Sequence, residues 1–118
     1  MTRKVYYLST CDTCKRIMKE AGIDDHFSKQ DIKTDPLTEE QIEELYRFTQ
    51  SYEELINKRA RKFKEAIIQH PISTDADYKI LLLQDYTFLT RPAFIIDEQL
   101  FIGNSKATIE QLKNQLNR

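Results

Sequence analysis

Val5-Tyr6-Tyr7-Leu8-Ser9-Thr10-Cys11-Asp12-Thr13-Cys14-Lys15-Arg16-Ile17-Met18-Lys19-Glu20-Ala21-Gly22 decides how the chain is read. Val5 to Leu8 is a short apolar run of the kind a buried strand uses. Residues 12–21 then space Ile17, Met18 and Ala21 among charges, which predicts an amphipathic helix ending at Gly22. At their junction stand Cys11 and, in the first turn of the helix, Cys14, the only cysteines of the chain. A strand that delivers a CxxC to a helix N-terminus points to thiol chemistry, because the thiolate is the reactive form and helix N-termini favour anions.

Three features are expected to lower the Cys11 pKa. The N-terminal amides of the helix face it, Lys15 and Arg16 follow within one turn, and Thr13 and Cys14 can donate hydrogen bonds to its sulfur. Asp12 opposes them, but its side chain can turn to solvent while the backbone amides cannot. Cys14, one turn further into the helix, is expected to be the more buried, resolving thiol. Two competing readings stand beside this one: a pair of ordinary half-buried cysteines, and a zinc site. For zinc the remaining ligands would be His26 and His70, and neither has finger spacing.

Outward from the first helix, a weaker strand is predicted from His26 to Ile32, broken at Asp35-Pro36. Thr38 caps a helix whose third residue, Gln41, completes a capping box and whose apolar face carries Ile42, Leu45 and Tyr46. Ser51-Tyr52-Glu53-Glu54 repeats that pattern before Leu55 and Ile56. A basic cluster follows (Lys58, Arg59, Arg61, Lys62, Lys64), mostly a solvated helix face. His70-Pro71 marks a loop, and Asp75 to Tyr86 reads as a helix. Thr90-Arg91-Pro92 leads into Ala93-Phe94-Ile95-Ile96, a turn at Asp97-Glu98, a returning strand Gln99-Leu100-Phe101-Ile102, a break at Gly103-Asn104, and a last helix capped by Ser105. The order β-α-β, helices, β-β-α predicts an α/β protein: a mixed sheet with flanking helices on the thioredoxin plan, with a helical insertion between its halves. In that plan a cis-proline faces the CxxC. Pro92 is the candidate, and Arg91 would then approach Cys11; the alternative is a surface arginine before a trans proline that starts an edge strand.

The chain has 118 residues, 40% hydrophobic and 31% charged, with a formal net charge of −1. That suits one domain with a modest core and gives no global basic excess for direct nucleic-acid contact. No stretch approaches the ~18 apolar residues of a membrane span, and Met1 to Val5 lacks a signal core. The expected location is the cytoplasm, where paired cysteines are catalytic, redox-sensing or metal-binding rather than structural.

Tyr7 to Arg16, Asp35 to Ile42, Leu55 to Arg59, and Leu89 to Asp97 with Leu100 to Gly103 together resemble the glutaredoxin-linked arsenate reductase (ArsC) family and its relatives, the Spx regulators. The resemblance spans nearly the whole chain. It implies a single thioredoxin-like ArsC/Spx-family domain over 1–118, with its helical insertion at about 36–90. It implies a thiol-dependent oxidoreductase in which Cys11 attacks an oxyanion or a disulfide, Cys14 resolves, and Arg59 and Arg91 hold the anion. Pro92, Thr13 and Lys15 would support them. Arg61 is a rival to Arg59, and the position of the family's third oxyanion arginine falls near Gly103. No bound cofactor is implied, and glutathione with glutaredoxin is the implied electron donor. The alternative implied by the Spx side is a redox-sensing transcriptional regulator that binds the C-terminal domain of the RNA polymerase α subunit.

Overall fold

The computed structural model describes residues 2–117 and divides into two compact units, one made of residues 2–35 and 91–117 and the other of 36–90.

The first unit holds a four-stranded mixed sheet. Its strands are β1 (Arg3–Tyr7), β2 (Ser28–Asp31), β3 (Ala93–Ile96) and β4 (Gln99–Ile102), in the order β2-β1-β3-β4. β1 runs parallel to β2, with Tyr7 opposite Asp31, and antiparallel to β3, with Val5 opposite Phe94. A parallel pair needs a crossover, and α1 (Asp12–Glu20) supplies it. β3 and β4 form a hairpin whose two-residue turn places Asp97 at φ 55°. Aspartate tolerates that left-handed region, and here its side chain accepts from Thr2 N at 3.2 Å while its own N–H donates to Thr2 O at 2.7 Å.

Residue alternation sends Val5, Phe94, Ile96 and Phe101 to one sheet face. There they form a core with Ile17 of α1 and Leu112 of α5 (Lys106–Leu116). Phe27 joins them edge-on to Phe94, with ring centroids 6.4 Å apart. All four residues of β3 are buried, as a strand covered on both faces requires. The predicted strand at 26–32 is shorter than expected because Asp24, His26 and Phe27 make a local turn before Ser28.

The second unit is helical: α2 (Glu39–Thr49), α3 (Phe63–Gln69) and α4 (Asp75–Gln84). α2 starts at the predicted capping box, with Thr38 Oγ1 accepting from Gln41 N and Gln41 Oε1 from Thr38 N, both at 3.1 Å. Ile42, Leu45, Leu55, Leu81 and Leu89 are fully buried, each contributing about 1.5–3 kcal/mol of apolar transfer. The segment after Ser51 makes only a 3-10 turn (Glu53–Leu55) instead of the helix its capping pattern suggests. Ile56 is drawn off into a bridge with Leu89, flanked by Asn57 N to Phe88 O and Thr90 N to Leu55 O, both at 2.8 Å. α4 stops at Gln84 rather than Tyr86, because Asp85 turns extended and caps a second 3-10 turn through Thr87.

Candidate active site

The site is assembled where β1 hands over to α1. Cys11 N donates to Leu8 O at 3.1 Å, closing a turn that lifts Cys11 off the strand end. Cys11 is the N-cap of α1, in extended conformation, and its sulfur does what a serine oxygen does at ordinary caps: it accepts the Cys14 N–H, at 3.4 Å. Cys14 lies one turn on and is fully buried, whereas Cys11 is half-buried. Both are unbridged thiols.

The two sulfurs titrate apart. Partial burial pushes the Cys11 thiol up, but the Cys14 amide, the Cys14 thiol, the Arg91 guanidinium and the Thr13 amide together bring it below its ordinary value. Burial dominates at Cys14 and pushes it up to about 12, helped by the hydrogen bond to Cys11 and by the negative charge there. The Leu8 amide and Arg91 pull the other way. A half-buried thiol biased toward its thiolate beside a buried thiol that keeps its proton is the division of labour that thiol exchange needs: an attacking sulfur and a second sulfur held in reserve.

Arg91 reaches this pair from the other half of the same unit, just before β3. The Arg91–Pro92 peptide bond is cis, as the thioredoxin plan predicts. Pro92 is buried, and its carbonyl accepts from Gly103 N at 3.0 Å, which ties the proline to the end of β4. Arg91 is the cation whose field acts on both sulfurs. Lys15 and Arg16 are engaged along their own helix, Lys15 with Asp12 at 3.8 Å and Arg16 with Glu20 at 3.3 Å. The Asp12 carboxylate is fully exposed, so water screens its opposition to the Cys11 charge.

Arg59 belongs to the helical unit. It is exposed, and its N–H donates to Asn57 Oδ1 at 3.1 Å in the turn that follows the Ile56 bridge. Arg61 is exposed as well, two residues on. Of the remaining basic cluster, Lys58 pairs with Glu53, and Lys62 with Asp85 at 2.8 Å. His26 pairs with Asp24 at 3.1 Å and His70 meets Gln84 at 3.1 Å. Among the described residues no group of three or more His, Cys, Asp or Glu side chains is gathered to hold a metal ion, and no helix is long and apolar enough to cross a membrane.

One contact at the site has no counterpart in the sequence pattern. Asp31, the last residue of β2, accepts from Ser9 Oγ at 2.5 Å and from Ser9 N at 3.4 Å. Neither residue carries a motif, and the parallel pairing that brings Asp31 opposite Tyr7 is visible only once the sheet is formed.

Residues 6–112 match the model of the ArsC family. The chain belongs to the ArsC family. Global transcriptional regulator Spx 1 of Bacillus cereus is 28% identical over 113 residues, which cover 91% of this chain and 83% of that protein. Among solved structures, a putative ArsC family related protein from Bacteroides fragilis superposes with a TM-score of 0.73 at 19% identity, covering 95% of this chain and 99% of that one. The arsenate reductase from Vibrio cholerae gives 0.74 at 13% identity, covering 97% of each chain. At those identities the likeness carries the fold: this ArsC-family chain has the thioredoxin-like mixed sheet with flanking helices.

Proposed function

We propose that this ArsC-family protein is a cytoplasmic thiol oxidoreductase, with Cys11 as nucleophile and Cys14 as resolving thiol. The observation that carries the reading is the inequality of the two sulfurs at the start of α1: Cys11 is the half-buried N-cap that accepts the Cys14 N–H at 3.4 Å and is drawn down by it, by the Cys14 thiol and by Arg91, while burial holds Cys14 high against Arg91. With a disulfide substrate, the Cys11 thiolate attacks one sulfur, forms a mixed disulfide and expels the other as a thiolate. Cys14 loses its proton and attacks Cys11 Sγ, closing the Cys11–Cys14 disulfide and releasing the second substrate thiol. With arsenate, the Cys11 thiolate displaces a hydroxyl from arsenic, which takes a proton and leaves as water. Attack by Cys14 on Cys11 Sγ then breaks the S–As bond and leaves its electron pair on arsenic. Arsenic(V) becomes arsenic(III) as two thiols become one disulfide. Two equivalents of glutathione, relayed by glutaredoxin, return the dithiol.

In this reading Arg91 and Arg59 hold the oxyanion, as guanidinium forks suit tetrahedral anions. Pro92, Thr13 and Lys15 support the loop and the local charge. The decisive experiment follows arsenate-dependent NADPH oxidation with glutathione, glutaredoxin and glutathione reductase, for the wild type against Cys11→Ser. Turnover that disappears in the variant supports the oxyanion route. Absence of wild-type turnover with arsenate, alongside reduction of a model disulfide, assigns the thiols to disulfide exchange.

The second reading, a redox-sensing regulator that contacts the RNA polymerase α subunit, is favoured by one observation: the 28% identity with Spx 1 along 83% of its length. Capture of the polymerase α C-terminal domain that changes on oxidation of the thiols, with no turnover in either assay, would decide for it.

A further inference from the structure

Asp31 closes the C-terminal edge of β2 and binds two turns at once. Its Oδ2 accepts from Ser9 Oγ at 2.5 Å, and its Oδ1 accepts from Ser9 N at 3.4 Å and from Lys33 N at 3.2 Å. Its own carbonyl accepts from Thr34 N at 3.2 Å and Asp35 N at 2.9 Å, which fixes the turn leaving the strand. The sheet holds this end firmly, because Tyr7 and Asp31 are register partners and Ile32 N donates to Tyr7 O at 3.0 Å. Asp31 is thus anchored on β2 and grips the loop that leaves β1. The carboxylate is held below its ordinary value, first by the Ser9 hydroxyl, against some burial, and then by the Lys33 and Ser9 amides.

Ser9 is the second residue of the turn Leu8-Ser9-Thr10-Cys11, which the Cys11 N to Leu8 O bond closes. With Leu8 fixed by the strand end and Ser9 by Asp31, few degrees of freedom are left before Cys11. The position of Cys11 Sγ against the Cys14 amide, 3.4 Å away, follows from that turn. A loop free to shift by about 1 Å would lose the alignment on which such contacts depend. We infer that Asp31 is a positioning residue of the thiol site, acting through Ser9 to hold Cys11 at the helix N-terminus. The inference rests on the proposed role of Cys11 as nucleophile.

Sign separates this role from a purely electrostatic one. Removing a carboxylate through its charge alone would favour the Cys11 thiolate and lower its pKa. Removing a brace would loosen the donors around the sulfur and raise it.

The test follows alkylation of Cys11 by iodoacetamide against pH, read site by site by mass spectrometry, for the wild type, Asp31→Ala, Asp31→Asn and Ser9→Ala. Asp31→Ala should slow alkylation on the acid side of the thiol transition by about fivefold, the worth of one hydrogen bond, and move the transition to higher pH. Asp31→Asn keeps one oxygen for the amides and an NH2 for the Ser9 hydroxyl, so most of the rate should return. Ser9→Ala, which loses the hydroxyl contact alone, should shift the profile the same way by less. Circular dichroism establishes that each variant is folded, and Ser9→Ala decides the matter if Asp31→Ala does not fold. A folded Asp31→Ala with the wild-type profile, a shift to lower pH, or an Asn variant as impaired as Ala overturns the inference. The probe is a synthetic electrophile, so the brace is tested even in a chain without oxyanion or disulfide turnover. Turnover with an unmoved profile overturns the brace alone.

Discussion

Cys14 serves Cys11 through a backbone N–H that reaches Cys11 Sγ at 3.4 Å, and its own thiol also draws the Cys11 pKa down. The two cysteines are therefore unequal before any substrate arrives. Cys11→Ser should reduce alkylation at neutral pH to the slow background of a buried thiol and abolish turnover. Cys14→Ser keeps the amide donor and a hydroxyl in place of the thiol. It should leave Cys11 reactive within a few-fold of wild type but unable to close an internal disulfide, so oxidised protein would accumulate as a mixed disulfide. Mass spectrometry after treatment with oxidised glutathione reads both outcomes. Loss of reactivity in Cys14→Ser with Cys11→Ser unaffected would reverse the assignment.

Arg91 acts on both sulfurs in the same direction, favouring thiolate. Arg91→Ala should raise the pKa of Cys11 and reduce its alkylation at neutral pH several-fold. Arg91→Lys should recover part of the effect, since the charge returns but the guanidinium fork does not. The thiolate ultraviolet absorbance, followed against pH, measures it. An unchanged titration would mean that the guanidinium does not govern the thiol.

Arg59 and Arg61 differ in what holds their backbone: Arg59 N is tied to Asn57 Oδ1, whose own N–H is fixed to Phe88 O at 2.8 Å. If an arginine of this segment holds an oxyanion, the anchored one is the better candidate. Arg59→Ala should raise KM for arsenate by about tenfold, the scale of one charge-assisted hydrogen bond. Arg61→Ala should leave KM within about twofold. The opposite ranking in steady-state kinetics would exchange the two residues.

The raised pKa of Cys14 has a consequence for stability with a definite sign. The folded chain keeps this proton up to about 12, while an ordinary thiol gives it up near 9.0. Between those values the unfolded chain binds fewer protons than the folded one, so stability falls as pH rises. The contribution is fully present below 9.0 and is lost as pH passes through about 12. Tyr52, raised from 10.0 to about 12, chiefly by its hydrogen bond to Glu43, acts in the same sense over the upper part of that window. Urea unfolding at about pH 9 and about pH 11 should show a smaller loss of midpoint for Cys14→Ala than for the wild type. Equal losses would assign the alkaline instability elsewhere.

What the sequence made legible follows from how local each signal is. β1, α1, the β3–β4 hairpin and the Thr38 and Ser105 caps are written in short windows, and the structure has each within a residue or two. The Asp75 cap on the 3-10 turn at Glu53–Leu55 and the Ile56–Leu89 bridge join residues more than twenty positions apart, so the capping pattern at Ser51 pointed to a helix that tertiary pairing overrode. The basic cluster reads as a helix face, but Lys58, Arg59, Arg61 and Lys62 lie in turns and α3 begins only at Phe63; Phe63, Ala66 and Ile67 are too few to show a clear period. At the site, the unequal cysteines and the cis-proline were readable from motif and order. The Asp31–Ser9 contact was not, since it needs the register of a parallel pair.

Asp75 explains why the Ser51 segment turns as it does, and it gives the last prediction. Its carboxylate accepts from Tyr52 N at 2.8 Å, Glu53 N at 3.0 Å and Ser51 Oγ at 3.3 Å, so a side chain at the start of α4 caps the 3-10 turn more than twenty residues earlier. Some burial pushes this carboxyl up, but those three donors outweigh it and hold the group below its ordinary value. The stabilisation it gives is therefore present at neutral pH and is lost as pH falls through the depressed value. Asp75→Ala should destabilise the chain by about 1 kcal/mol, the usual worth of a cap, and Asp75→Asn by less, since one oxygen remains. Denaturant unfolding near neutral pH and again below 3.8, the ordinary value of this carboxyl, measures the effect: the gap between wild type and Asp75→Ala should narrow only in that strongly acid range, and a gap that persists undiminished there would mean that the carboxylate charge contributes nothing to the cap.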